Sequence, residues 1–412
     1  MPKEYLDINV YEAAKERIEF VFDNFEKIYI SFSGGKDSTV MMHMVMDEAI
    51  LRGRKIGVMF IDWECQFDLT VKHIEKMFNF YKENIDLYWI QLPMTTWNGC
   101  SMHQPEWTAW NENKKDLWIR EKNKLAIRDK KFFPFYYEQM TFEEFTPLFS
   151  EWYSGGDLCA NFIGIRTQES LNRYRAVARD IKRFKDKNWT TNITSNTWNV
   201  YPIYDWSTED DWIYFGKYGR FYNSLYDRMH QAGMTIHQMR IDEPFGDTQR
   251  QSLWLYHLIE PHTWAKMVSR VSGANTGALY CGDGGNILGN KKISLPDNHT
   301  WESFAKSILY SMPDKTSNHY KNKIAVYLKW FQSRGYPDGI PDFAPRKLES
   351  TGKVPSWRRI CKSLLRNDYW CRGLGFGITK SSAYHKYLEL MKKRRLEWKI
   401  FPEGISNEKK EK

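Results

Sequence analysis

The stretch that decides the reading is Ile28-Tyr29-Ile30-Ser31-Phe32, followed by Ser33-Gly34-Gly35-Lys36-Asp37-Ser38 and then by the helix-like run from Thr39 to Leu51. The apolar first segment predicts a buried strand over Lys27–Phe32. Two adjacent glycines let the chain turn tightly with its N–H groups exposed. The helix that follows offers unpaired donors and the positive end of its dipole. Ser33 and Ser38 add hydroxyls and Lys36 adds a cation, so strand, turn and helix together predict a phosphate-binding site. The spacing is not the Walker form, in which four residues separate the first Gly from Gly-Lys-Ser/Thr. Ordinary kinase or motor ATPase chemistry is therefore not expected.

Outward from this loop, Val10–Phe25 predicts an amphipathic helix, with Ala13, Ala14, Ile18, Val21 and Phe22 at helical spacing. Ile56–Ile61 reads as a second buried strand ending at Asp62, Val71–Asn84 as the next helix, Leu87–Leu92 as a third strand and Asn161–Ile165 as a fourth that delivers Arg166. Strands alternating with helices predict an α/β fold with a doubly wound, mostly parallel sheet. In such sheets the carboxyl edge lines the ligand crevice. Asp62 is then either a contact for ribose, adenine or metal, or a structural cap.

The loop Ser33–Ser38 resembles the PP-loop of ATP pyrophosphatases, which grips the pyrophosphate end of ATP while an acceptor attacks the α-phosphate. Phe162-Ile163-Gly164-Ile165-Arg166-Thr167-Gln168-Glu169-Ser170, with Arg173 beyond it, resembles the G-x-R-x-x-E-S segment of phosphoadenosine phosphosulfate (PAPS) reductases and their relatives. Pro202-Ile203-Tyr204-Asp205-Trp206-Ser207 with Asp210-Asp211-Trp212, and then Tyr222-Asn223-Ser224-Leu225-Tyr226-Asp227, resemble two later segments of that superfamily. The resemblance implies an adenine nucleotide, ATP or PAPS, with Mg²⁺. It assigns catalysis to Lys36, Asp37 and Arg166, and nucleotide contact to Ser33, Gly34, Gly35, Lys36, Asp37, Ser38, Arg166, Glu169 and Arg173, with Asp62 added from its strand edge. Residue by residue there is a plainer alternative, in which Arg166 and Glu169 form a surface ion pair and Trp206 and Trp212 are core aromatics.

Length and composition agree with such an enzyme. At 412 residues two or more subdomains are expected, and 42% hydrophobic with 27% charged residues describes a globular protein. No run of eighteen apolar residues occurs and Met1-Pro2-Lys3-Glu4 opens with charge, so a cytoplasmic chain without a membrane segment is expected. Six scattered cysteines, Cys65, Cys100, Cys159, Cys281, Cys361 and Cys371, read as reduced thiols. Residues 94–131 form an aromatic-rich insertion whose Trp97, Trp107, Trp110 and Trp118 suit a lid over an adenylate or a satellite core. Cys100 and His103 are close enough to share a metal but lack a second pair.

The net charge of +9 is concentrated at one end. From Arg346 onward there are eighteen Lys/Arg against seven Asp/Glu, a local +11. There Arg358, Arg359, Lys362 and Arg366 interleave with Trp357, Tyr369 and Trp370, and Lys392-Lys393-Arg394-Arg395 follows. This pattern fits nucleic-acid contact or the docking of an acidic protein.

The domain boundary is expected near residue 228, with 1–227 as the nucleotide-binding domain and 228–412 as a mainly helical, basic extension. The extension resembles the region of unknown function found beside PAPS reductase-like domains in the immunoglobulin-binding regulator A group. That resemblance implies a ParB-like partner of the immunoglobulin-binding regulator B type and a role in gene expression. Neither the Glu-Cys-Gly motif of true PAPS reductases nor the paired cysteines of their iron–sulfur relatives occurs here. Cys371 has basic neighbours that would lower a thiol pKa, but burial would raise it. The sequence thus favours ATP cleavage between the α- and β-phosphates, with sulfur transfer as a variant if a partner supplies persulfide. PAPS reduction and nucleotide sensing with a ParB-like protein are the alternatives.

Overall fold

The computed structural model describes residues 7–101, 104, 106–178, 183–246, 252–279, 293–312, 314–350, 354–366, 368 and 371–376. They fall into two compact units, one within Met1–Thr95, Thr108–Pro244 and Leu255–Arg270, the other within Thr96–Trp107, Phe245–Trp254 and Val271–Lys412. This division differs from the expected single cut at 228. Residues 228–244 and 255–270 pack with the first unit, and the insertion is shared between the two.

The first unit opens with α1 (Val10–Asn24), β1 (Lys27–Ser31), α2 (Lys36–Leu51), β2 (Ile56–Ile61), α3 (Asp68–Phe80) and β3 (Ile85–Ile90). Two short paired strands follow, β4 (Met94–Trp97) and β5 (Glu106–Ala109). Then come α4 (Phe142–Ser154), β6 (Cys159–Ile163), α5 (Leu171–Ala178), β7 (Thr190–Asn192), β8 (Thr197–Val200), α6 (Thr208–Tyr218) and α7 (Leu225–Gln231). After these come α8 (Trp254–Ile259) and α9 (Pro261–Arg270). The six-stranded sheet has the order β3-β2-β1-β6-β8-β7 and is parallel except for β7. The chain builds outward from β1 to β3 and then returns to the other side of β1 as β6. The carboxyl ends of β1 and β6 therefore flank the point where strand order reverses, the place where such sheets bind ligands.

Each element follows from its residues. Asn9 caps α1 by accepting from the Tyr11 and Glu12 amides at 3.1 and 3.0 Å, and the helix buries the predicted Ala13, Ala14, Ile18, Val21 and Phe22. Arg17 on α1 makes a two-pronged bond to Asp205 at 2.8 and 2.6 Å, and the Trp206 indole donates to the Val10 carbonyl at 3.0 Å. The Asp205-Trp206 pair is thus a clasp for the first helix. β2 is buried along its whole length, as its unbroken apolar run predicts.

The helix expected over Val71–Asn84 starts three residues earlier and ends at Phe80. The early start has a tertiary cause. Phe67 has no capping group, and the Glu260 carboxylate accepts from the Asp68 and Leu69 amides at 2.9 and 3.1 Å. Strand three likewise lies at Ile85–Ile90 instead of Leu87–Leu92, because its register against β2 pairs Ile56 with Ile85 and Ile61 with Ile90.

In the insertion, Trp110 is fully buried, its indole donating to the Asp62 carbonyl at 2.6 Å and its ring meeting Trp118 edge-on. This part is a satellite core and not a lid. Cys100 is buried in the second unit, where a Cβ on Gly277 would collide with its sulfur, and His103 lies outside the described residues.

From Val271 onward the regular elements of the second unit that are described are helices, α10 (Ala274–Leu279), α11 (Trp301–Ser311), α12 (Asp314–Gln332), α13 (Arg346–Ser350) and α14 (Trp357–Leu365). Trp301, Ala305, Ile308 and Leu309 form one face of α11 and pack with Tyr320, Ile324, Ile360 and Leu364. No helix among the described residues is long and apolar enough to cross a membrane.

Two buried histidines on the helices behind the sheet give this fold an acid limit. His43 on α2 shares a hydrogen bond of 2.6 Å with the Tyr81 hydroxyl and contacts the Phe221 carbonyl at 3.0 Å, while His73 on α3 contacts the Thr39 hydroxyl at 3.0 Å. Burial lowers both, His43 to about 4 and His73 to about 3, from 6.5. The unfolded chain takes up these protons first, so stability is intact above pH 6.5 and falls as pH drops toward 4. In that window each histidine removes about 1.4 kcal/mol per pH unit. Thermal melts from pH 8 to pH 4 are expected to show this fall, and His43→Gln is expected to make it shallower.

Candidate functional site

β1 ends at Ser31 and α2 starts at Lys36, so the glycines make the turn between them. Gly34 has φ +75°, a conformation that favours glycine, and a Cβ there would press on the Ile74 and Thr70 side chains at 3.1 Å. Gly35 caps α2 with its carbonyl, which accepts from the Thr39 amide at 2.9 Å and from the Ser38 and Thr39 hydroxyls at 3.0 and 2.8 Å. The Ser33 and Ser38 hydroxyls sit 2.9 Å apart. The Asp37 and Ser38 amides meet no acceptor among the described residues, which leaves helix N-terminal donors for a ligand.

Two residues beyond β8 fix this turn. Asn223 donates to the Gly34 carbonyl and to the Thr70 hydroxyl, both at 3.1 Å, and the Tyr226 hydroxyl accepts from the Lys36 amide at 2.8 Å. From β6, Gly164 approaches so closely that a Cβ would lie 2.9 Å from the Cα and N of Ser38. The quoted segments therefore have mechanical roles that sequence spacing did not assign. Gly164 admits the start of α2, and Asn223 and Tyr226 hold the loop from 189 and 190 residues away.

Charge is concentrated behind the loop. Arg166 is 2% exposed and donates through Nε to Asp37, with Asp211 Oδ2 at 3.3 Å and a further bond of 3.2 Å to the Thr208 hydroxyl. Lys36 is 4% exposed and its ammonium sits 3.3 Å from Asp37 Oδ2. Burial disfavours the Asp37 charge, but Lys36 and Arg166 more than offset this and hold the carboxyl well below the usual range. Arg166 and Lys36, expected as catalytic and nucleotide-contact residues, are thus committed to a buried ion group with Asp37.

At the carboxyl ends of β1, β2 and β6 a cleft of about 310 Å³ opens. Ser33 and Ser38 line its loop side, Phe60, Ile61 and Gln66 its β2 side, and Arg173, Asp242 and Glu243 supply charge. Of the outer residues named from sequence, Arg173 lines this cleft. Glu169 pairs with Arg173 at 2.7 Å and lies 3.8 Å from Arg240, with burial pushing its carboxyl up.

Asp62 does not line the cleft. Its carboxylate accepts from the Trp89 indole at 3.0 Å, the Gln91 amide at 2.8 Å, the Glu64 amide at 2.9 Å and the Arg120 guanidinium, which makes it a structural hub beside the buried Glu64–Arg270 pair. No signal in the sequence distinguishes these roles, because the donors arrive from distant segments.

The basic extension also differs from expectation. Arg358 pairs with Glu349 at 3.0 Å, and Arg359 donates to the Val354 and Gly373 carbonyls at 2.8 and 2.7 Å. Both are internal braces. Tyr369, Trp370 and Lys392–Arg395 lie outside the described residues.

Residues 27–238 match the phosphoadenosine phosphosulfate reductase domain. The chain belongs to this family. Residues 233–343 and 336–385 match a domain of unknown function, DUF3440. The uncharacterized protein YbdN of Escherichia coli (strain K12) is 45% identical over 399 residues, covering 96% of this chain and 97% of that protein. The uncharacterized protein MJ0066 of Methanocaldococcus jannaschii is 29% identical over 225 residues, 54% of this chain and 38% of that one. Among solved structures, a PAPS reductase from Candida auris in a phosphate complex aligns with TM-score 0.31 and 13% identity over 55% of this chain and 94% of that one. FMN adenylyltransferase from Candida glabrata with FMN and the ATP analogue AMPCPP aligns with TM-score 0.32 and 14% identity over 54% and 64%.

Two substitutions test the geometry of the PAPS reductase-like domain. Gly164→Ala is expected to push on the start of α2 and cost about 1–3 kcal/mol, measured by denaturant unfolding. Arg166→Ala is expected to cost about 3 kcal/mol in stability by leaving buried carboxylates without their cation, in addition to any loss of ligand binding.

Proposed function

We propose that this protein is an enzyme that binds ATP at the Ser33–Ser38 loop and promotes attack of an acceptor on the α-phosphorus. The bond from that phosphorus to the α,β-bridging oxygen breaks, and pyrophosphate leaves with the electron pair. One observation carries the reading. Ser33 and Ser38, at the open N-terminus of α2 and next to the Lys36–Asp37–Arg166 group, line the cleft at the point of sheet reversal.

In this reading the phosphates are held by the Asp37 and Ser38 amides and by the Ser33 and Ser38 hydroxyls. Lys36 and Arg166 act through their field, and Arg173 reaches the ligand directly. Such donors, fixed before the reaction, stabilise the charge that develops on the leaving pyrophosphate. The base and ribose are assigned to the Phe60–Ile61 side of the cleft. Among the described residues no three His, Cys, Asp or Glu side chains converge to hold a metal, so Mg²⁺ is taken to arrive on the triphosphate as part of the substrate.

Thiol-dependent reduction of PAPS has less support. Cys65, Cys100, Cys159, Cys361 and Cys371 are buried, and burial pushes the Cys159, Cys361 and Cys371 thiols up to about 12, where the nucleophilic thiolate is scarce. Cys281 lies outside the described residues. Sulfur transfer from a partner's persulfide is a variant of this proposal, a ParB-like partner belongs to the nucleotide-sensing alternative, and nucleic acid is a further candidate partner for the basic extension.

The test is release of pyrophosphate from ATP by the purified protein, with and without candidate acceptors, beside calorimetric titration of ATP and PAPS. ATP binding with pyrophosphate release is expected. Lys36→Ala is expected to weaken ATP binding about ten- to a hundredfold while the protein stays folded, because Arg166 still pairs with Asp37. Tight ATP binding with no release under any condition would favour the nucleotide-sensing class.

A further inference from the structure

Asp211 lies in the first turn of α6, next to Asp210. Asp210 completes a capping box with Ser207 and so faces the helix end. Asp211 turns the other way and is 0% exposed. Neither of its oxygens meets a donor in hydrogen-bond geometry among the described residues. The Arg166 Nε at 3.3 Å points its proton at Asp37, and the other polar group that Asp211 faces is the Asp37 carboxylate, which is itself an acceptor. Two carboxylates in buried contact repel when both are ionised, and a hydrogen bond forms between them only when one carries a proton. Lys36 and Arg166 both sit on Asp37, so the proton belongs on Asp211. Burial and the Asp37 charge push the Asp211 carboxyl well up.

We propose that Asp211 is a positioning residue held as a neutral carboxylic acid, donating its proton to Asp37, so that its group with Lys36 and Arg166 keeps one net positive charge behind the phosphate loop. With Asp211 ionised, the two cations and two carboxylates would cancel. Other charged or titratable groups around this cluster are Glu169, paired with Arg173 and 3.8 Å from Arg240, the buried phenol of Tyr226, and Glu209 in the first turn of α6, whose charge is felt by Arg166. The inference rests on the nucleotide reading for its purpose, while the protonation state rests on the full burial of Asp211, its oxygens without a donor and its contact with Asp37.

The experiment compares wild type, Asp211→Asn and Asp211→Ala in thermal melts at pH 5 and pH 8. Unfolded Asp211 ionises near 3.8, so a folded state that keeps its proton loses stability as pH rises above that value. Asn carries no such cost and can still donate to Asp37. Asp211→Asn is therefore expected to gain in Tm relative to wild type between pH 5 and pH 8, and Asp211→Ala to melt below Asp211→Asn at both. An Asp211→Asn variant whose Tm difference from wild type is the same at pH 8 as at pH 5 would overturn the proposal, because an Asp211 ionised in both the folded and the unfolded chain adds no pH dependence over that range. In ATP titrations at pH 8, Asp211→Ala is expected to lose at least about tenfold in affinity and Asp211→Asn clearly less. Equal losses would also overturn it. If wild type binds no ATP, the nucleotide reading fails while the melts still decide the proton.

Discussion

The arrangement depends on the buried contact of Arg166 with Asp37. These residues are 129 positions apart, one at the end of β6 and the other in the first turn of α2, and the ion group they form with Lys36 also takes in the start of α6 through Asp211 and Thr208. A buried pair of this kind is weak evidence of stability, since desolvation opposes the attraction, but removing one partner is costly. Its consequence here is positional. It locks the phosphate loop against the strand that lines the other side of the cleft. Gly164 makes the lock possible, because any side chain there would collide with the backbone of Ser38.

The loop's grip is therefore an assembled property. Its glycines set the turn, but Asn223 and Tyr226 hold the Gly34 carbonyl and the Lys36 amide in place. In the proposed reading, the Asp37 and Ser38 amides and the serine hydroxyls are the donors that meet the ligand. The cationic side chains do not wait free in solvent. They form a buried, nearly neutralised group whose residual charge is set by a single proton, which is a form of electrostatic preorganisation.

Much of the fold was legible in the sequence. β1 and β2 stand out as apolar runs, the loop as paired glycines between strand and helix, and α1 by its helical periodicity. Other features depend on distant residues. α3 begins at Asp68 because Glu260 caps it, and β7 and β8 are short and rich in Thr and Asn, so their polar pattern gives little strand signal. For the candidate site, the sequence named residues that the structure gathers around one loop and cleft, but not which way their side chains turn. Asp62 and Arg166 stand at strand ends as expected, yet both turn into internal networks. Arg358 and Arg359 read as a basic surface, but Glu349 and two backbone carbonyls bind them internally. A charge run gives the number of cations and not their partners.

The most direct test is a crystal structure of the protein with a non-hydrolysable ATP analogue. The account predicts phosphate oxygens within hydrogen-bond distance of the Asp37 and Ser38 amides and the Ser33 and Ser38 hydroxyls, with the base beside Phe60 and Ile61 and the Arg166–Asp37 contact intact. A nucleotide bound elsewhere, or a loop that stays empty at saturating analogue, would contradict it.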